Sequence, residues 1–284
     1  MTSAQPSRAP ASVLSVASVV QVFLPIMNTP SIGFIGGGRI ARIFLAGWTR
    51  AQQLPARIVV ADPSAEALAK LKAQFPGIET TSDLAAAATQ DIVFLATHPP
   101  VLTEAAGKAA AALKPSAILV SLAPKFTIAK LTALLGGFAR IARSNPNAPS
   151  VVGAGMNPVV FGDALTAADR DTVRALFAPL GESPEVAEAK IEAYAVFTAM
   201  GPTYLWFQLQ ALRELAVSFG LTEAEANAGL KRMVCGAART LVDSGLSPAD
   251  VMDLVPVKPL AEMEPQVLEH YSTRLPALFQ KIKP

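Results

Sequence analysis

The sequence is poor in the side chains on which metal chemistry and nucleophilic hydrolysis usually depend. His98, His270 and Cys235 are the only histidines and the only cysteine among 284 residues. No zinc cluster of familiar spacing and no histidine-based triad can be assembled from them. One cysteine cannot form an internal disulfide, so a reducing, cytoplasmic setting fits. Cys235 itself lies in an apolar helical pattern and reads as a buried core thiol. Charge is scarce too, at 16% of residues and a net +2. No field of one sign is available to hold nucleic acid or an acidic membrane.

Charge is missing altogether between Arg8 and Arg39. Within that gap, Val13 to Met27 is strongly apolar. No small-residue cleavage site precedes the first strand, which argues against a signal peptide. The run is also too short and too serine-rich for a spanning helix. Residues 1–30 therefore read as a disordered or spurious extension, with Met27 as the start and export as the alternative.

What the sequence has in quantity is apolar surface, 51% of residues. That is ample for one α/β domain and a smaller second unit. The α/β part is announced by Ser31 to Ala41, SIGFIGGGRIA. A short buried strand runs into a helix through Gly36-Gly37-Gly38, and Ala41 completes the dinucleotide fingerprint G-x-G-x-x-A. Gly36 permits the tight turn, Gly38 leaves the backbone open to a pyrophosphate, and Ala41 lets the helix lie close on the sheet. The helix start at Arg39 and Ile40 then presents free N–H groups to phosphates. A second strand, Arg57 to Ala61, ends in Asp62 about twenty residues after the helix starts. A carboxylate there accepts both ribose hydroxyls of NAD and repels a 2′-phosphate. Asp62 therefore leans towards NADH.

Further strands are expected at Asp91 to Thr97, Ser116 to Leu122 and Ala139 to Arg143, with helices between them. This alternation implies a Rossmann-type, doubly wound parallel sheet whose ligand crosses the carboxyl edge. On that edge lie Thr97-His98-Pro99, Ala123-Pro124-Lys125 and Asn145 to Pro149. A short strand is expected near Pro184 to Ala187, after which the chain turns helical. Leu205, Leu209, Leu212, Ala216 and Phe219, and then Leu230, Val234, Ala237 and Leu241, form narrow apolar seams. Such seams suit either an internal bundle core or a subunit interface. The expected division is a dinucleotide-binding domain over 31–188 and an all-α substrate and dimerisation domain over 189–284.

From Ser31 to about Glu269 the chain resembles the pyrroline-5-carboxylate reductase family. IGFIGGGRIA is similar to that family's opening IGFIGxGNMA. FLATHP at Phe94 to Pro99 resembles its LAVKP loop, and VSLA at Val120 to Ala123 its SIAAG. RSNPNAP at Arg143 to Pro149 resembles R-x-MPNTP, Leu180-Gly181-Glu182 its F-G-E, and Gly201 to Tyr204 its GPAY. The resemblance implies a homodimer or higher oligomer that uses NADPH or NADH. It also implies reduction of the cyclic imine 1-pyrroline-5-carboxylate, a small-molecule substrate, to proline. By resemblance and position, the cofactor-binding set is Gly36, Gly37, Gly38, Arg39, Ile40, Ala41, Asp62, Thr97, His98, Pro99, Ala123, Lys125 and Asn147.

The departures from the family pattern are specific. SGSGP becomes Thr198-Ala199-Met200-Gly201-Pro202, a glutamate on the next helix becomes Gln210, and His98 and Lys125 replace a lysine and a glycine. The loop SPGGTT is replaced by Pro256 to Glu262, without its glycines or threonines. Lys258 is then a candidate to meet the substrate carboxylate, and Glu262 to protonate the imine nitrogen if burial raises its pKa. Thr198 is the third catalytic candidate. Two alternatives follow from the lost loop: a diverged reductase of another imine or carbonyl compound, and a dinucleotide-binding protein without turnover. A β-hydroxyacid dehydrogenase would need a lysine on the helix after the sheet domain, and Tyr194 to Leu212 has none.

Overall fold

The computed structural model of the chain describes residues 30–97 and 99–284. The expectations for the N-terminal extension, Met27 included, and for His98 fall outside the described residues. The chain opens with β1 (Ile32–Ile35), α1 (Arg39–Arg50), β2 (Ile58–Ala61), α2 (Ala65–Gln74), β3 (Glu79–Thr81) and α3 (Leu84–Ala88). It continues through β4 (Ile92–Leu95), α4 (Pro99–Ala110), β5 (Ile118–Ser121), α5 (Ile128–Leu134) and β6 (Ile141–Ser144). Two short strands, β7 (Gly155–Met156) and β8 (Val159–Phe161), precede α6 (Ala167–Phe177) and β9 (Gly181–Glu182). From there only helices follow: α7 (Ile191–Tyr194), α8 (Pro202–Ser218), α9 (Glu223–Asp243), α10 (Pro248–Asp253) and α11 (Glu264–Ile282).

The main sheet has the order β3-β2-β1-β4-β5-β6-β8. All neighbours pair in parallel except β6 and β8, which are antiparallel. The Rossmann-type sheet thus stands as the strand pattern predicts, with one antiparallel edge strand that the pattern does not reveal. Strand order reverses between β1 and β4, and that is where such sheets open a crevice for a ligand.

Both faces are covered, which is why β1, β2, β4 and β5 read as continuous apolar runs and are buried at every position. On one face Phe34, Phe44, Trp48, Phe94 and Phe177 pack together without exposure, the Phe34 and Phe94 rings stacked at 4.8 Å. The Trp48 indole N–H donates to the Leu176 carbonyl at 2.8 Å, so its one polar group is satisfied in the core. Aliphatic and alanine side chains from α3, α4 and α5 fill the other face.

The strand expected at Pro184 to Ala187 shrinks to a single bridge between Val159 and Glu185. Pro184 has no N–H to continue a ladder. Beyond α7, α8 packs against α9, yet the seam is not covered by this chain. Leu205, Leu212, Phe219 and Leu241 are exposed. Cys235, expected in a core, is exposed as well, with no described residue of the chain lying over it. Among the described residues, no helix is long and apolar enough to cross a membrane.

Candidate functional site

A cavity of about 1060 Å³ opens at the carboxyl edge of the sheet beside β1 and β4. The turn from β1 into α1 forms its floor. Gly36 has φ +111°, and a Cβ there would stand 2.8 Å from the Ala96 carbonyl oxygen. Only glycine fits. Gly38 faces open space, with nothing within 4 Å of where its Cβ would be. The first turn of α1 carries no acidic residue, and Gly38 caps it without a side-chain bond. Its leading N–H groups are therefore left for an anion. These features fit the pyrophosphate of a dinucleotide.

Asp62 stands at the end of β2, held from both sides. Its Oδ2 accepts the Gly37 N–H at 2.8 Å, and its Oδ1 accepts the Ser64 N–H at 2.8 Å. The carboxylate is thus tied to the glycine turn and to the start of α2 while it lines the cavity. Ser82, Asp83, Leu84 and Ala85 form a further wall, and Val101, Glu104, Ala105 and Lys108 of α4 face them. Lys108 pairs with Glu104 at 2.6 Å and lowers that carboxyl below its ordinary pKa. From the helical part of the chain, Met200 joins the lining.

Of the expected cofactor residues, the cavity brings together Gly36, Gly38, Arg39, Ile40, Asp62 and Thr97. Gly37 and Ala41 shape the turn but do not line it: the Gly37 N–H is taken by Asp62, and Ala41 is buried beneath α1. Pro99 begins α4. Ala123 is buried in the core and Lys125 lies outside the lining. Lys125 keeps φ +73°, a left-handed conformation natural to the family's glycine and strained for a lysine.

Asn147 lies outside the cavity lining. It is buried, and its side chain serves the fold instead of facing the cavity. Its Nδ2 donates to the Thr198 carbonyl at 3.0 Å, and its Oδ1 accepts the Met156 N–H at 3.1 Å. The reason is strand periodicity. Arg143, Asn145 and Asn147 lie two apart on an extended segment and so share one face. All three reach towards the segment between Glu188 and Thr198.

Two of the three catalytic candidates are also not gathered by one chain. Lys258 and Glu262 lie between α10 and α11, exposed and away from the cavity. Thr198 is nearer, two residues before Met200, in a π-helical turn over Ala195–Ala199. Its hydroxyl donates to the Tyr194 carbonyl at 2.9 Å. The residues of the short β3 and α3, and those of α4, escape sequence reading. A three-residue strand and a five-residue helix carry no usable period. The one available signal is Asp83, which caps α3 by accepting the Ala85 N–H at 2.9 Å.

The sheet order, the glycine turn and the acid at the end of β2 define a dinucleotide-binding protein of the Rossmann type. Comparison with known proteins narrows this. Residues 31–125 match the family model described as NADP oxidoreductase, coenzyme F420-dependent, and residues 188–258 match that for pyrroline-5-carboxylate reductase dimerisation. The pyrroline-5-carboxylate reductase of Escherichia coli K12 is 30% identical over 225 residues, 79% of this chain and 84% of the relative. That of Pseudomonas aeruginosa is 31% identical over 227 residues, 79% of this chain and 83% of the relative. Among solved structures, a pyrroline-5-carboxylate reductase from Coxiella burnetii superposes with a TM-score of 0.64 at 29% identity, covering 90% of this chain and 95% of the other. A Plasmodium falciparum pyrroline carboxylate reductase with NADP bound shares the fold at a TM-score of 0.75 and 20% identity, over 90% and 98% of the two chains. The chain belongs to the pyrroline-5-carboxylate reductase family.

Proposed function

We propose that this protein is an NAD(P)H-dependent reductase that converts 1-pyrroline-5-carboxylate to proline. The observation that carries the reading is the glycine turn at Gly36–Gly38, with open space over Gly38 and Asp62 fixed beside it, in a chain of this family. When bound, a reduced nicotinamide supplies the hydride. The reaction adds that hydride to the imine carbon and a proton to the ring nitrogen. Gly36, Gly38 and the start of α1 would hold the pyrophosphate and Asp62 would meet the ribose, while Thr97 and Met200 line the same cavity. Little acid–base machinery is needed, because the barrier falls chiefly when donor and acceptor are held at near-attack distance.

The proposed division places the dinucleotide-binding domain over 31–188 and the helical domain over 189–284. Exposed Trp206, Phe207 and Leu215 on α8, with Phe219 just after it, support the helical domain as the surface of a homodimer or higher oligomer. For Lys258 and Glu262 to act on substrate, they must be contributed across that interface, and this is the arrangement we propose.

The test follows absorbance at 340 nm, a nicotinamide property, with pyrroline-5-carboxylate and either NADH or NADPH. Substrate-dependent oxidation at roughly 1–1000 per second is the expected result. Cofactor binding without oxidation would overturn it. Oxidation of cofactor with another imine or a ketone instead would favour the second reading, to which the absence of glycine from Pro256 to Glu262 points.

A further inference from the structure

The π-helical turn over Ala195–Ala199 is held from three directions. The i to i+5 bond runs from the Met200 N–H to the Ala195 carbonyl at 3.0 Å. From the end of β6, Asn147 donates to the Thr198 carbonyl at 3.0 Å. From α8, the Tyr204 hydroxyl donates to the Val196 carbonyl at 2.6 Å. Behind the turn, Leu275, Leu278 and Phe279 of α11 pack on Ala195 and Val196. A π-turn leaves carbonyls outside the regular helical ladder, and such turns are frequent at functional sites. Here two of these carbonyls are met by side chains from separate parts of the chain.

The turn sets the position of Met200, the sole residue beyond α4 that lines the cavity. Asn147 is itself fixed. Its Oδ1 accepts the Met156 N–H, and its own N–H donates to the buried Asn157 at 3.1 Å. Neither Asn147 nor Tyr204 reaches the cavity, so any influence on the chemistry passes through the turn.

We propose that Asn147 and Tyr204 are positioning residues. They clamp the π-turn at two of its carbonyls, and the clamped turn sets Met200 against the bound dinucleotide. The inference rests on the reductase reading for its kinetic consequence but not for its structural one. A shift of about 1 Å in a group that orients reactants can cost about a hundredfold in rate. Loosening either clamp is therefore expected to lower kcat while leaving the Gly36, Gly38 and Asp62 contacts intact.

The experiment compares the full-length protein with Asn147→Asp and Tyr204→Phe. Asn147→Asp keeps the acceptor for Met156 and removes the donor to Thr198. Tyr204→Phe removes a single hydroxyl and is the variant least able to disturb folding. Two readouts are taken, each normalised to NADH-binding sites counted by fluorescence titration. The first is hydrogen exchange of the peptide over 195–201 with and without NADH. NADH is expected to protect this peptide in the parent protein, and the protection is expected to be lost in both variants with NADH still bound. The second is turnover of pyrroline-5-carboxylate per site, expected to fall about 10–100-fold in both variants with the Kd for NADH within about threefold.

Unchanged protection of 195–201 in the variants would overturn the proposal whatever the substrate. So would activity lost only in proportion to lost NADH sites. A parent protein that shows the protection but no turnover, with the protection lost in both variants, would refute the substrate reading and uphold the clamp.

Discussion

Arg143 and Glu192 form an ion pair at 2.7 Å with both side chains almost wholly withdrawn from solvent, at 2% and 3% exposure. A second carboxylate, Glu188, meets the same guanidinium at 2.8 Å and also accepts the Ile128 N–H at the start of α5. One arginine at the end of β6 thus fastens the sheet to the segment that leads into the helices. Removing one partner of such a pair is costly, because it leaves a charge buried and unmatched. Glu192→Ala is expected to lower unfolding free energy by about 3 kcal/mol, near the lower end of the usual range because Glu188 remains. Urea denaturation at fixed protein concentration measures it, and a loss below about 1 kcal/mol would contradict this account.

The two outer glycines of the fingerprint are expected to fail in different ways. Gly36→Ala puts a Cβ at φ +111° and 2.8 Å from the Ala96 carbonyl. It should destabilise the fold by at least about 1–2 kcal/mol through left-handed strain, read as a fall in Tm. Gly38→Ala meets open space in the protein. Its Tm should hold, while its Kd for NADH should rise about tenfold or more, about 1.4 kcal/mol. Equal behaviour of the two variants would disprove a phosphate site above Gly38.

Cofactor choice should follow the charge of Asp62. The parent protein is expected to bind NADH about tenfold more tightly than NADPH, about 1.4 kcal/mol, because a 2′-phosphate would face that carboxylate. Asp62→Asn keeps an acceptor for the Gly37 N–H and removes the charge, so it should narrow the ratio. Calorimetric titration with both cofactors decides the point. A purely structural Asp62 would weaken both alike, and the ratio would not move.

At low pH the amino-terminal end of the central strands should weaken through Asp91. Its carboxyl is held down to about 2 by the Lys114 ammonium and by the Ser31 hydroxyl and N–H, below the usual 3.8. A depressed carboxylate stabilises the fold above its ordinary pKa, and that contribution is lost as pH falls from about 4 through about 2. The pair is half exposed, so the gain should be no more than about 1 kcal/mol. Asp91→Asn should therefore destabilise the protein at pH 7, and most of the difference should be gone near pH 2. A difference at pH 2 as large as that at pH 7 would assign the effect to something other than the charge.

The sheet was legible because local chemistry and fold agree there. Buried parallel strands must be apolar throughout, and a tight turn over a phosphate needs glycine. Ile32–Ile35, Gly36–Gly38 and Asp62 therefore declared themselves in one dimension. The wall made by the turn after β3, by α3 and by α4 did not. Its lining residues, such as Ser82, Ala85 and Lys108, are chemically ordinary and acquire a role only by facing the cavity.

Asn147 and Cys235 mark the same limit from the other side. Resemblance and position suggested a ligand contact for Asn147, but its place two residues beyond Asn145 on an extended segment turned its amide towards Thr198. The apolar pattern around Cys235 suggested burial, but burial depends on what lies over a helix, and the described residues cover α9 only in part. By itself the sequence determined the Rossmann sheet, the dinucleotide turn and the helical ending, since each follows from short-range periodicity and backbone freedom. Only the tertiary structure decided which polar groups face the cavity, which hold the π-turn, and which apolar faces stay open. Those outcomes depend on residues far apart in the chain being brought within hydrogen-bonding or packing distance.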